Sequence, residues 1–149
     1  MFIEEMSGVS FVPLNIIESS DGAVMHALKA SADQFVGFGE AYFSTVYRGK
    51  IKGWKKHRKM TLNLIVPHGT VQFMVYDDRP NSKTHGNFFP KVISKSSFGR
   101  LTIEPNLWVA FKGLEESASI ILNVANIEHQ VDEADVLPIN ELKCIWEKH

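Results

Sequence analysis

MTLNLIVPHGTVQFMVYDD, residues 60–78, decides the fold class. Two runs rich in valine, isoleucine, leucine and phenylalanine flank Pro67-His68-Gly69, and the pattern predicts two strands joined as a hairpin. The same grammar recurs along the chain. AYFSTVY (41–47), KVISKS (91–96), RLTIEP (100–105), LWVAFKG (107–113) and SIILNVANI (119–127) each read as a short strand bounded by Gly, Pro, Asn or Ser. DRPNSKTHGN (78–87) reads as a loop, VDEADVLPINEL (131–142) as helical or looped, and Ala32–Phe35 as one turn at most. Many short antiparallel strands with little helix predict an all-β sandwich or barrel.

The chain has 149 residues and 44% hydrophobic content, enough for one compact domain over 1–149 with a proper core. Its 16 Lys+Arg against 17 Asp+Glu argue against a nucleic-acid binder, whose domain is expected to be basic overall. No apolar run is long enough to span a bilayer, and the acidic start MFIEEMSG lacks a basic segment leading into an apolar one. A cytoplasmic protein with no membrane partner is expected. Cys144 stands alone, without a disulfide partner or a thiolate metal site, and reads as inert filler.

Against this balanced charge, KGWKKHRKM (52–60) concentrates four lysines, an arginine and a histidine. If Ile51 to Lys59 is extended, Lys55, His57 and Lys59 project to one face and Lys52, Trp54, Lys56 and Arg58 to the other. One reading is a solvated edge strand. The other is a barrel strand facing inward, where a lysine beside a histidine is costly unless a polar or anionic ligand shares the space.

GKIKGWKKH (49–57), VPHGTVQFMVYDDRPNSKTHG (66–86) and LTIEPNLWVAF (101–111), in this order and spacing, resemble the dTDP-4-dehydrorhamnose 3,5-epimerases. The resemblance runs from about Asp21 to the last residues. It implies a cupin-type jelly roll, usually homodimeric, acting on deoxysugars carried by a thymidine diphosphate. In that family a G-V-L-R-G-L-H-x-Q segment, a G-x-V turn, a V-D-x-R strand end and a later I-P-x-G-x-A-H-G-F carry the pattern. Here Gly49–Lys55, Gly69-Thr70-Val71, Tyr76–Arg79 and Ile103–Phe111 stand in their places.

The departures fall where the family does its chemistry. Lys55 takes the place of the base histidine, His57 that of the nearby glutamine, and Val109 that of a phosphate-contacting histidine. The late-strand tyrosine falls near Asn123 and a second near His129, while the segment supplying the base's aspartate has no clear match around Trp146. Lys52 replaces the diphosphate-binding arginine as a point charge that still binds phosphate. Of the metal-cupin ligand places only His57 is filled, so no metal and no cofactor are expected.

The resulting assignment makes His57 the base, Lys55 the stabiliser of an enolate, and His129 or a tyrosine the acid. Lys52, Arg48, Asn63, Asn123 and Trp108 are candidate substrate contacts. Asn63 is either on a solvated face or in the pocket, Asn123 either a bulge or a ligand contact, and Trp108 either core or a stacking platform. Three functions remain open: a nucleotide-sugar epimerase or isomerase in surface-polysaccharide or sugar-acid biosynthesis, a non-catalytic cupin binding a sugar nucleotide or sugar acid, and contact of the basic segment with nucleic acid or an acidic partner, which the balanced charge disfavours. The apolar SFVPLNII (10–17), outside the predicted barrel strands, is expected at a homodimer interface.

Overall fold

The computed structural model describes residues 1–146. Alternating apolar and polar residues, cut by glycine and proline, give twelve strands and, among the described residues, no helix. They are β1 (Val9–Pro13), β2 (Ile16–Ser19), β3 (Gly22–Met25), β4 (Glu40–Val46), β5 (Ile51–His57) and β6 (Leu62–His68). There follow β7 (Val71–Tyr76), β8 (Phe88–Ile93), β9 (Gly99–Ile103), β10 (Trp108–Gly113), β11 (Ser119–Ala125) and β12 (Ala134–Val136). Two five-stranded antiparallel sheets, ordered β1-β9-β6-β11-β4 and β12-β5-β10-β7-β8, form an all-β jelly roll, with β2-β3 as a separate hairpin. Among the described residues no helix is long and apolar enough to cross a membrane.

The opening stretch forms two strands, but they do not pair with each other. β6 lies between β9 and β11, whereas β7 lies between β10 and β8 in the opposite sheet. The turn at Gly69 therefore carries the chain from one sheet to the other. Gly69 has φ +91°, and a Cβ there would stand 2.2 Å from Ser119 Oγ, so the crossing needs a glycine. Ser119 Oγ accepts the Thr70 N–H at 3.1 Å and fixes the exit.

The core lies between the sheets. Leu64, Val66, Leu101, Ile103 and Ile121 from one sheet meet Val71, Phe73, Val75 and Ile93 from the other. A second cluster, Trp54, Met74, Trp108 and Ala110, forms on the outer face of the β12-β5-β10-β7-β8 sheet. Leu137, Ile139 and Trp146 pack over it, and Trp54 Nε1–H donates to the Ile139 carbonyl at 3.1 Å. β7 is thus covered on both faces, which explains its unbroken apolar run.

Two other segments differ from expectation. VDEADVLPINEL contains β12, whose Ala134, Asp135 and Val136 pair with His57, Lys56 and Lys55. Ser10–Pro13 lies in β1 and pairs with β9, and Ile16 and Ile17 open β2, so six of the eight residues of SFVPLNII are strand. The loop after β7 is tied by Asp77, which is fully buried and accepts hydrogen bonds from Arg79, Ser82 and Thr84. Burial opposes its charge, but those bonds outweigh it and hold the carboxyl well below the usual carboxylate range. Cys144 is half-buried, and burial pushes its thiol up to about 11, in keeping with an inert side chain.

Candidate functional site

β5 sets the site. In register, Val109 faces Lys55 and Ala110 faces Gly53, so Trp54 is an extra residue and the strand bulges there. A bulge reverses the alternation on its N-terminal side. Lys52 therefore joins Lys55 and His57 on the inner face, correcting the expectation that it would share the Trp54 face. Gly53 has φ +138° and lies so close to β10 that a Cβ would meet the Ala110 Cβ at 2.6 Å. Trp54 is fully buried on the opposite side of the sheet. The strand ends at His57, so Lys59 does not continue the inner face.

The inner face opens into a cavity of about 230 Å³ between the sheets. Lys52, Lys55 and His57 form one wall with Val109 and Phe111 of β10. Tyr42 and Ser44 of β4, Leu62 and Leu64 of β6, and Ile121 and Asn123 of β11 form the wall opposite. Below the several hundred cubic ångströms of a typical drug-sized pocket, this volume suits a single ring.

His57 is 9% exposed, and its Nδ1–H donates to Glu133 Oε1 at 2.6 Å. The other Glu133 oxygen accepts the N–H groups of Lys59 and Met60 at 2.9 and 3.0 Å. Burial of Glu133 opposes its charge, yet the bonds from His57, Lys59 and Met60 outweigh it and hold the carboxyl below its ordinary range. Against the carboxylate Nδ1 is the donor, so in the neutral ring Nε2 is the acceptor. Glu133 supplies the orienting acceptor that had no match near Trp146. Its sequence context was misleading, because an acidic surface stretch and an edge strand beside β5 look alike without the register.

Across the cavity, Tyr42 stands in register with Asn123 on the neighbouring strand. Asn123 Nδ2–H donates to the Tyr42 hydroxyl at 3.0 Å, and Asn123 Oδ1 accepts the Asn63 N–H at 3.1 Å. The asparagine thus both replaces a missing ladder acceptor and aims a phenol. Alternation in AYFSTVY puts Tyr42 and Ser44 on one face of the strand, but nothing in the sequence alone joins Tyr42 to Asn123. Lys52 Nζ donates to the Thr45 carbonyl at 3.2 Å, whereas Lys55 has no hydrogen-bond or ion-pair partner among the described residues.

The remaining candidates lie elsewhere. Asn63 is buried on the outer face of its sheet, neither solvated nor in the cavity, and its side chain bonds Thr102 and the Val124 carbonyl. Trp108 belongs to the outer cluster, with Nε1–H donating to Asp78 at 2.8 Å and Lys56 over its ring. Arg48 pairs with Glu116 at 3.1 Å outside the cavity lining. His129 is exposed on the loop between β11 and β12. Among the described residues, no three His, Cys, Asp or Glu side chains gather as a metal-binding group would.

No protein-family model matches the chain. Over 96 residues it is 25% identical to a probable low-salt glycan biosynthesis epimerase, Agl13, of Haloferax volcanii, a match covering 64% of this chain and 62% of that protein. The chain thus spans less than two thirds of that relative. It superposes with a TM-score of 0.89, at 30% identity, on a dTDP sugar isomerase from Desulfovibrio desulfuricans G20, covering 91% of this chain and 87% of that one. Against ChmJ, a 3'-monoepimerase from Streptomyces bikiniensis crystallised with dTDP-quinovose, the TM-score is 0.82 over 93% of this chain and 74% of that one. At 13% identity this second likeness is one of fold.

Proposed function

We propose a function on this premise: the chain belongs to the dTDP-4-dehydrorhamnose 3,5-epimerase-like family of jelly-roll proteins. It acts as a nucleotide-sugar epimerase that inverts a carbon beside the ketone of a 4-keto deoxysugar nucleotide, in the assembly of a glycan. The observation that carries this reading is the pairing across one cavity of a carboxylate-backed histidine and an asparagine-held phenol. The Nε2 of His57 takes the proton from the carbon next to the ketone, and the bond's electrons pass to the carbonyl oxygen as an enolate. The Lys55 ammonium stabilises that oxyanion. Tyr42 returns a proton from the opposite wall, so the carbon is inverted. Apolar Leu62, Leu64, Val109 and Ile121 suit the methyl end of a deoxysugar, and the small cavity leaves the nucleotide outside, with Lys52 as a cation for its diphosphate.

The test is solvent-deuterium incorporation into a dTDP-4-keto-6-deoxysugar, followed with the wild type and Tyr42→Phe. The wild type is expected to label and invert the substrate. The variant should still exchange label through His57 while inversion falls by roughly 10²-fold or more. Binding without label in the wild type would leave a sugar-nucleotide-binding protein in place of an enzyme. Undiminished inversion by Tyr42→Phe would remove the phenol from the mechanism.

A homodimer belongs to the same reading. Exposed Val36, Phe38 and Phe43 (59%, 65% and 69%) support it as apolar surface lacking a covering element. Sedimentation as a dimer at micromolar concentration is expected, and a monomer there would overturn it.

A further inference from the structure

Among the described residues, buried charge is paired with one exception. Asp77 holds Arg79, and Glu133 holds His57. Arg100 of β9 is 3% exposed and has no carboxylate within ion-pair distance among the described residues. Its Nη1–H donates to the Ala27 carbonyl at 2.8 Å and its Nη2–H to Gln34 Oε1 at 3.1 Å, both neutral acceptors. Nε is buried with no partner. Burial pushes the pKa of this guanidinium down, with no neighbouring carboxylate to offset it. A buried cation without a counter-charge is strongly unfavourable.

Arg100 lines a recess of about 270 Å³ whose other polar or charged contributors include Lys29, His26, Ser31 and Asn15. No Asp or Glu lines it. The recess is on the opposite side of the sheet from the sugar cavity, since Leu101 and Ile103 of β9 turn inward to the core and Arg100, the residue before Leu101, turns out. The segment above it is irregular, held by turns in which the Ala32 and Phe35 N–H groups donate to the Lys29 and Ala32 carbonyls.

We propose that this recess binds a small phosphate-class oxyanion, distinct from any diphosphate held at the sugar cavity. Guanidinium, ammonium, imidazole, hydroxyl and amide groups around a space this small match a compact anion with several acceptor oxygens. The anion supplies the counter-charge that Arg100 lacks and pins residues 26–34 over the sheet.

The test titrates inorganic phosphate into the full chain in low-salt, oxyanion-free buffer, read by calorimetry and thermal melting. One saturable site is expected in the wild type, weakened at least about tenfold in the His26→Ala/Lys29→Ala double variant and unchanged in Lys55→Ala. Arg100→Met should abolish it. Because that variant removes a buried strut and can fail to fold, the double variant on the loop decides. The proposal is overturned if phosphate does not bind saturably, if Lys55→Ala removes the site, or if the double variant binds as tightly as the wild type. A melting temperature that rises with protein concentration and ignores phosphate would also overturn it, pointing to a carboxylate from a second copy.

Discussion

Replacing His57 with asparagine is expected to lower turnover on a dTDP-4-keto sugar by roughly 10²–10⁴-fold, the usual worth of general acid–base catalysis. Asparagine keeps a donor that can reach Glu133 and much of the imidazole's shape, so the wall of the cavity should hold. What it lacks is a nitrogen able to accept a proton. Affinity for dTDP should change little, because the cations near the cavity are Lys52 and Lys55. Lys52→Ala should do the reverse, weakening the diphosphate ligand in a salt-dependent way while leaving turnover at saturation nearly intact. Wild-type turnover in His57→Asn would remove His57 from the mechanism as the base.

These expectations rest on side chains whose faces were only partly legible in the sequence. The strands were readable because alternation survives in AYFSTVY, and because Gly and Pro punctuate the rest. Their pairing was not. A strand buried on both faces, like β7, carries no alternation, so nothing local said that it would leave β6 and join the other sheet. The face of Lys52 was misread for a related reason. A one-residue bulge is invisible to period-two counting, yet it reverses every side chain on one side of it.

The site separates along the same line. His57 and Lys55 could be placed because both lie after the bulge, where alternation from the strand end holds. Glu133 is 76 residues away in the chain, and only the pairing of β12 with β5 brings it to the imidazole. Asn63 and Trp108 were plausible ligand contacts by residue type, but each is satisfied by protein partners on a face turned from the cavity. Polar residues in strands are therefore ambiguous until their hydrogen bonds are known. The Asn123–Tyr42 pair shows the opposite case, since an asparagine where the family has a tyrosine looks like a loss until the phenol one strand away is seen.

Glu133→Gln tests the least anticipated residue, and its expected effect is as large as that of removing the base. The amide oxygen can still accept the Lys59 and Met60 N–H groups, so the end of β5 stays anchored. The amide nitrogen then faces His57 Nδ1, and two donors cannot share that contact. The imidazole answers by moving its proton to Nε2, the nitrogen meant to accept one from the sugar. Turnover should fall by roughly 10²–10⁴-fold with dTDP affinity preserved, because an imidazole in the wrong tautomer is no base. Turnover read beside acid stability separates this from a merely structural role. The carboxyl of Glu133 is depressed in the folded protein, so its contribution is fully present above the unfolded carboxylate range and is lost as pH falls through the lower folded value. The glutamine variant lacks that contribution, and its melting temperature should fall less steeply between neutral pH and acid. A variant with the flatter acid limb but full turnover would confine Glu133 to holding the Lys59–Met60 turn, and the orientation of His57 would then need another source.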